Sequence, residues 1–305
     1  MRISLVMVCA VWLIVAPGVV HAGDSCRLLR QASFELGTDW YGGAYVPARI
    51  GGLSMRLLVD TGGTVSTLTQ GTMGLLGVEG RRVSSQRMTM FGGMRLDRFV
   101  WIDDVQIGSV SQGTTRFLAL PDDRLPDALS GTVAPDFLSR YDVEFDFANA
   151  KLNLFSPDRC GGRVVYWTDG AYAKIPIQLD QVGHILAFVQ LDGKKLAALI
   201  DTGLSRSELS LEAAENLFGL AGNLRAIQPW AEPAGGDRVY HYSFRKLSFG
   251  DETVADPDIA LIPDSISRRS SATPKLILGM NVLRHYHLYV AYREHNLYVT
   301  AASAR

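Results

Sequence analysis

The chain of 305 residues predicts an all-β fold built as two similar lobes, from three observations. The triplet Asp-Thr-Gly occurs twice, at Asp60-Thr61-Gly62 and Asp201-Thr202-Gly203, each time at the end of a short apolar run. Two longer blocks recur in the same order: residues 50–68 lie without a gap over 191–209 at an offset of 141, and residues 136–155 over 281–300 at an offset of 145. Gly52 and Gly193, Ser66 and Ser207, Leu68 and Leu209, and Tyr141 and Tyr286 are among the matched positions, and a repeat this long is a domain rather than a solenoid unit. Finally, short runs rich in β-branched and aromatic residues alternate with Gly, Asp, Asn and Pro throughout, the pattern of strands punctuated by turns.

Residues 1–22 read as a secretory signal. Arg2 supplies the positive start, residues 3–15 the apolar core, Pro17-Gly18 a break, and Val20-His21-Ala22 a small-residue cleavage site. That apolar stretch is shorter than the roughly 20 residues a spanning helix needs, so no stable membrane insertion is expected after cleavage. The expected location is outside the cytoplasm, in a periplasm or the medium. Of three cysteines Cys9 would leave with the signal, and Cys26 with Cys160 would remain; an even pair in an exported chain predicts a disulfide.

The first lobe is placed at 27–157, with strands at 45–50, 55–60, 143–147 and 151–155. A turn-rich linker occupies 158–173, and the second lobe runs from 174 to 305 with strands at 185–191, 196–201, 288–292 and 296–300. Helical pattern is confined to 72–76, 211–218 and short segments beginning at Asp136 and Asn281. Charge is balanced, 30 basic against 31 acidic residues, which implies no nucleic-acid or anionic-surface partner. No phosphate loop, dinucleotide fingerprint or zinc-protease helix is present, and no cofactor or metal is expected. His285 and His287 alternate on a strand without a third ligand at suitable spacing and read as ordinary strand residues. His184, His241 and His295 carry no motif.

An Asp at the end of a buried strand, followed by Thr and Gly, has a specific use. Gly permits a turn that a side chain would block, and the Thr hydroxyl and turn amides can donate to a partner loop. When two such turns meet, their carboxyls share one proton, because like charges about 3 Å apart cannot both ionise. The ionised member can then take a proton from water while the other donates to a scissile carbonyl.

In these features the chain resembles the aspartic proteases, specifically the retropepsin-like branch, in which each lobe contributes one Asp-Thr-Gly. The downstream mark of that family, two apolar residues, Gly and a short helix, is matched by Leu278-Gly279-Met280-Asn281-Val282-Leu283; the first lobe has Val133-Ala134-Pro135-Asp136-Phe137-Leu138, with Ala134 where Gly is usual. The resemblance covers nearly the whole chain after the signal. It implies a bilobal acid-protease fold, two retropepsin-like β-barrel lobes forming a pseudo-dimer, complete as a monomer.

Carried over position by position, the resemblance makes Asp60 and Asp201 a catalytic pair acting on a peptide or protein substrate. Thr61 and Thr202 would interlock the loops, Gly62 and Gly203 would let them approach, and Thr64 and Ser205 would steady the outer carboxylate oxygens. Flap tips are expected at Phe91-Gly92-Gly93 and at Gly235-Gly236. The residue after each triplet departs from the family pattern, being Gly63 and Leu204; neither brings a hydroxyl to the carboxyls, so activity is expected at mildly rather than strongly acidic pH. The expected function is an aspartic endopeptidase, against the alternative of an inactive peptide-binding or structural envelope protein of the same fold.

Overall fold

The computed structural model describes residues 27–303 apart from 84–87, 90–94, 158–159, 221–227, 230–238 and 265–273. The expected signal, Cys26 and both expected flap tips lie outside the described residues. The first half carries β1 (Arg30–Glu35), β2 (Gly37–Thr38), β3 (Ala44–Ile50), β4 (Leu53–Val59), β5 (Thr67–Thr69), α1 (Gln70–Leu75), β6 (Arg81–Arg82), β7 (Met88–Thr89), β8 (Arg95–Leu96), β9 (Arg98–Ile107), β10 (Val110–Leu120), β11 (Gly131–Val133), α2 (Pro135–Leu138), β12 (Asp142–Asp146) and β13 (Lys151–Phe155). The second half carries β14 (Ala173–Leu179), β15 (Ile185–Leu191), β16 (Lys194–Ile200), β17 (Ser207–Ser210), α3 (Leu211–Phe218), β18 (Gln228–Pro229), β19 (Tyr240–His241), β20 (Lys246–Phe249), β21 (Glu252–Ala255), β22 (Ile259–Ile262), β23 (Leu276–Leu278), α4 (Met280–Leu283), β24 (Tyr286–Ala291) and β25 (Asn296–Ala301). Among the described residues no helix is long and apolar enough to cross a membrane.

Each half is built as a barrel, and the strand ladders of the first close completely. In the first, neighbours run β3, β4, β11, β5, β10, β9, and β9 returns to β3, giving six strands with no free edge between them. Strands β3 and β15 bury alternate residues in the same pattern, as half-buried strands must, and β4 and β16 also match each other. In the last two strands alternation gives way to a fully buried end, Leu57-Leu58-Val59 and Ala198-Leu199-Ile200, which run inward on both faces up to the two aspartates.

The second barrel repeats the hairpin of the first in broken form. At an offset of 142, residues 98–107 of β9 correspond to 240–249, which hold β19 and β20, and Gly108 and Gly250 make the same turn with φ near +55°. Likewise β10 corresponds to β21 and β22, interrupted at Asp256-Pro257-Asp258. Pro257 has no N–H for the ladder and Asp256 adopts φ +46°, while Asp256 N donates to Arg245 O (2.9 Å) across the interruption.

A third sheet joins the halves, in the order β1, β13, β12, β24, β25, β14. Strands β12 and β24 pair antiparallel with Glu144 opposite Tyr289, positions equivalent under the 145-residue offset, so a local twofold axis passes between them. One face of this sheet continues the main core; the other carries a small cluster of Phe155, Val164, Tyr289, Ala291 and Tyr298, with Trp167 packed against it. His287, expected to be an ordinary strand residue, is instead buried in a polar network on that sheet. Its Nε2 lies 2.9 Å from Glu144 Oε1, its Nδ1 3.6 Å from Asp146 Oδ1, and its ring stacks on Trp167 at 4.3 Å. Tyr166 Oη and Asn153 Nδ2 also donate to Glu144 Oε2, at 2.8 and 2.6 Å.

Candidate active site

The two triplets are delivered by identical local structure. Each begins one residue beyond a buried strand, and each aspartate amide donates to the carbonyl ending the neighbouring parallel strand: Asp60 N to Val133 O and Asp201 N to Leu278 O, both 2.9 Å. The loops then meet. Thr61 N donates to Thr202 Oγ1 (3.2 Å) and Thr202 N to Thr61 Oγ1 (3.0 Å). The hydroxyls cross over in turn, Thr61 Oγ1 donating to Ile200 O and Thr202 Oγ1 to Val59 O, both at 2.7 Å. With Thr61 0% and Thr202 1% exposed, these bonds satisfy groups that water cannot reach.

Close approach explains the glycines. A Cβ at Gly62 would overlap the Asp201 carboxylate, and one at Gly203 would stand 2.6 Å from Asp60 Cγ. Each carboxylate therefore rests on the glycine of the opposite triplet. Asp201, 4% exposed, is pushed well above the usual carboxylate range, first by burial and then by the negative charge of Asp60, with Glu208 adding to it. The Gly203 amide, 2.9 Å from Asp201 Oδ1, works against this. Burial also raises Asp60, but the amides of Gly63 and Gly62 and the charge of His184 all hold it down. Both carboxyls are thus raised, Asp201 further than Asp60.

A second duplicated network braces each loop from behind. Ser66 N and Oγ donate to Asp136 Oδ1 (3.0 and 2.7 Å), and Ser207 N and Oγ donate to Asn281 Oδ1 (2.7 and 2.8 Å). The serine oxygens accept in turn from Ala134 N (3.1 Å) and Gly279 N (2.9 Å). Burial raises the Asp136 carboxyl, so its role is that of an acceptor an amide fills equally well, as Asn281 does.

The exception at Ala134 has a local cause. A Cβ at Gly279 would stand 2.6 Å from Leu204 O, a carbonyl drawn close because Met280 N donates to it at 2.7 Å. The residue equivalent to Met280 is Pro135, which has no N–H, so the first lobe makes no such bond and Ala134 fits fully buried. The side chains of Thr64 and Ser205 make no hydrogen bond to either carboxylate among the described residues; Ser205 contributes its carbonyl, which accepts from Asn281 N at 3.0 Å. Among the described residues no group of three or more His, Cys, Asp or Glu stands as a metal cage.

Sequence reasoning missed one loop. Residues 39–43 and 180–184 are equivalent at the same offset of 141 and fold alike. Asp39 Oδ1 accepts from Tyr41 N and Gly43 N, and Asp180 Oδ1 from Val182 N and His184 N. The signal lay in extending the first repeat backwards, which sets His184 against Gly43.

The aspartyl protease family matches the chain twice, over residues 46–132 and 187–282, more than half of its length, and each match contains one Asp-Thr-Gly. The chain belongs to the aspartyl protease family. Among solved structures it is similar to the crystal structure of Basic 7S globulin from soybean, with a TM-score of 0.52 over 91% of this chain and 96% of that one; at 9% identity the likeness is one of fold. No curated protein is significantly similar to it.

Proposed function

We propose that the protein is an aspartic endopeptidase in which Asp60 and Asp201 activate one water against a peptide carbonyl. The ionised carboxylate takes a proton from the water as its oxygen attacks, and the protonated partner donates to the carbonyl oxygen. Collapse of the tetrahedral species passes a proton to the departing amine and expels it. One observation carries the reading: two buried carboxyls from separate lobes each lie against the other triplet's glycine, on a scaffold of reciprocal threonine bonds that has no other evident use for buried charge.

Both halves of the pair come from one chain, so a monomer suffices, and the substrate is an extended peptide whose backbone pairs with strand edges. Export goes with the reading, as does a Cys26–Cys160 disulfide. Cys160 is 3% exposed, and Ser156 N donates to Leu29 O at 2.9 Å, which brings the chain just after Cys26 beside the chain just before Cys160.

The test is cleavage of a mixed peptide library by the purified protein from mildly acidic to neutral pH, beside Asp60→Asn and Asp201→Asn. Each substitution is expected to lower turnover by several orders of magnitude. Turnover within a few-fold of the parent in either variant would refute the shared-proton mechanism, and peptide affinity with no turnover in the parent would make this a binding protein.

A further inference from the structure

Residues 39–43 and 180–184 form the same aspartate-capped turn, yet they present different side chains. In the first turn Asp39 Oδ1 accepts from Tyr41 N and Gly43 N (both 2.8 Å), Gly42 N donates to Asp39 O (3.1 Å) and Asp39 N donates to Gly43 O (2.9 Å). These bonds fix the turn through its backbone and the Asp39 carboxylate, and none of them uses the ring of Trp40 or Tyr41. Both rings stand in solvent, Trp40 93% and Tyr41 70% exposed. The equivalent residues of the second turn are Gln181 and Val182, so the fold of the turn does not call for aromatic residues at these positions.

The place of the turn gives the rings a use. Strand β3 pairs with β4 in a register that sets Tyr45 opposite Leu58, and the same register carried two residues further sets Gly43 opposite Asp60. A Cβ at Gly43 would stand 2.8 Å from Leu58 Cδ1, so the turn stays packed on the end of the strand that delivers the aspartate. Its tip leans over the lobe boundary. A Cβ at Gly42 would stand 3.8 Å from Nη2 of Arg284, the residue that caps α4, the helix beginning two residues after the Leu278 carbonyl that binds the Asp201 amide. The second turn mirrors this: the β15–β16 register sets its last residue opposite Asp201, and a Cβ at Gly183 would stand 3.0 Å from Pro135 Cβ on α2. The two turns thus flank the aspartate pair on opposite sides, and only the first carries aromatic rings.

A chain spans at most about 3.5 Å per residue, so the backbone of Trp40 lies no more than about 10 Å from Gly43, the residue opposite Asp60. An extended peptide rises about 3.3 Å per residue, which brings the rings level with a side chain about two or three residues from the bond at the aspartates. Trp and Tyr offer large apolar faces on few rotatable bonds, and ordering them on a ligand costs little entropy when the turn beneath is already fixed.

Resting on the endopeptidase reading above, we propose that Trp40 and Tyr41 form an aromatic rim that selects peptides bearing an aromatic or large aliphatic side chain about two or three residues from the cut bond, on one side of it only. The duplicated triplets treat the two sides of the bond alike; the turn at 39–43 gives the substrate its direction.

The test uses a decapeptide library in which one position at a time is fixed as Phe, Leu, Glu or Ala. In the parent the ratio of kcat/KM for Phe-bearing over Ala-bearing peptides is expected to reach about tenfold or more at a position on one side of the cut bond. In Trp40→Ala/Tyr41→Ala that ratio should fall to about twofold or less. Damage to folding lowers both rates and leaves their ratio, so a merely structural role would not move this readout. The same fixed-position peptides, labelled with a fluorophore, are also bound to Asp201→Asn with and without the two alanine substitutions, and the Phe-over-Ala affinity ratio should fall in the same way without any turnover. A ratio that the alanine substitutions leave unchanged, or an equal preference on both sides of the bond in the parent, would overturn the proposal. Absence of cleavage in the parent, with the affinity ratio still dependent on the two rings, would overturn the endopeptidase reading alone.

Discussion

Each triplet residue has a separate physical duty. The threonine hydroxyls are both donors and acceptors, and each fills both roles across the lobe boundary. Thr202→Val keeps the shape but strands the Thr61 amide and the Val59 carbonyl, and is expected to cost about 2 kcal/mol by chemical denaturation, with Thr202→Ser near the parent. A denaturation midpoint for Thr202→Val equal to that of Thr202→Ser would contradict the crossed bonds. The aspartates are held at the expense of stability. In an unfolded chain both ionise near pH 3.8, whereas the folded site keeps the proton to higher pH. Their contribution is thus fully favourable below that pH and is lost as pH rises through the folded values. Asp201→Asn, which never ionises, should therefore melt above the parent at pH 7 and level with it below about pH 4. A melting difference independent of pH would mean the buried charge is not the cause.

At the scale of the element, the deciding devices are strand ends and what stands behind them. Strands β4 and β16 stop one residue before an aspartate because the chain there must leave the barrel core for the junction between lobes. The serine brace then holds the turn with a single acceptor oxygen, carboxylate at Asp136 and amide at Asn281. Asp136→Asn is expected to fold and to match or exceed the stability of the parent at neutral pH, because it keeps Oδ1 and removes a carboxyl whose pKa burial raises. Ser66→Ala, by contrast, removes the hydroxyl that makes two of the brace's bonds and should cost about 1 to 3 kcal/mol in a calorimetric or denaturant melt.

At the scale of the whole molecule, the lobes are joined by a sheet in which duplication has diverged into complementary halves. Asp142 and Glu144 of one half correspond to His287 and Tyr289 of the other, and they meet across the local axis as Glu144 with His287 (2.9 Å) and Asp142 with Tyr289 Oη (3.3 Å). An acidic edge faces a donor edge, so each half fits the other better than a copy of itself. Glu144 and His287 are 1% and 7% exposed along their side chains, and removing one partner leaves a buried charge. His287→Ala is expected to lower unfolding free energy by about 3 kcal/mol, partly through loss of the ring stacked on Trp167. An effect below about 0.5 kcal/mol, the usual range of surface changes, would show that the pair does not hold the halves together.

Much of this was legible in the residues themselves. Strand periodicity and the turn requirement of Asp-Thr-Gly are local, so the strands at 151–155 and 185–191 and the helix at 211–218 fall where pattern placed them. Duplication made the pairing of the two triplets legible as well, since two equivalent loops in one chain imply a shared axis. The hairpins of β9 with β10 and of β19 to β22 were not read in advance, because Asp103-Asp104 interrupts the apolar alternation of one and Asp256-Pro257-Asp258 breaks the other. Local pattern also left open how the repeats differ in space. The crossed threonine bonds join residues 141 apart, and Glu144 meets His287 at a separation of 143. Such contacts depend on how the two lobes dock, and no periodicity within either lobe records that; the sequence determined the two matching half-sites, and only the tertiary structure decided how they meet.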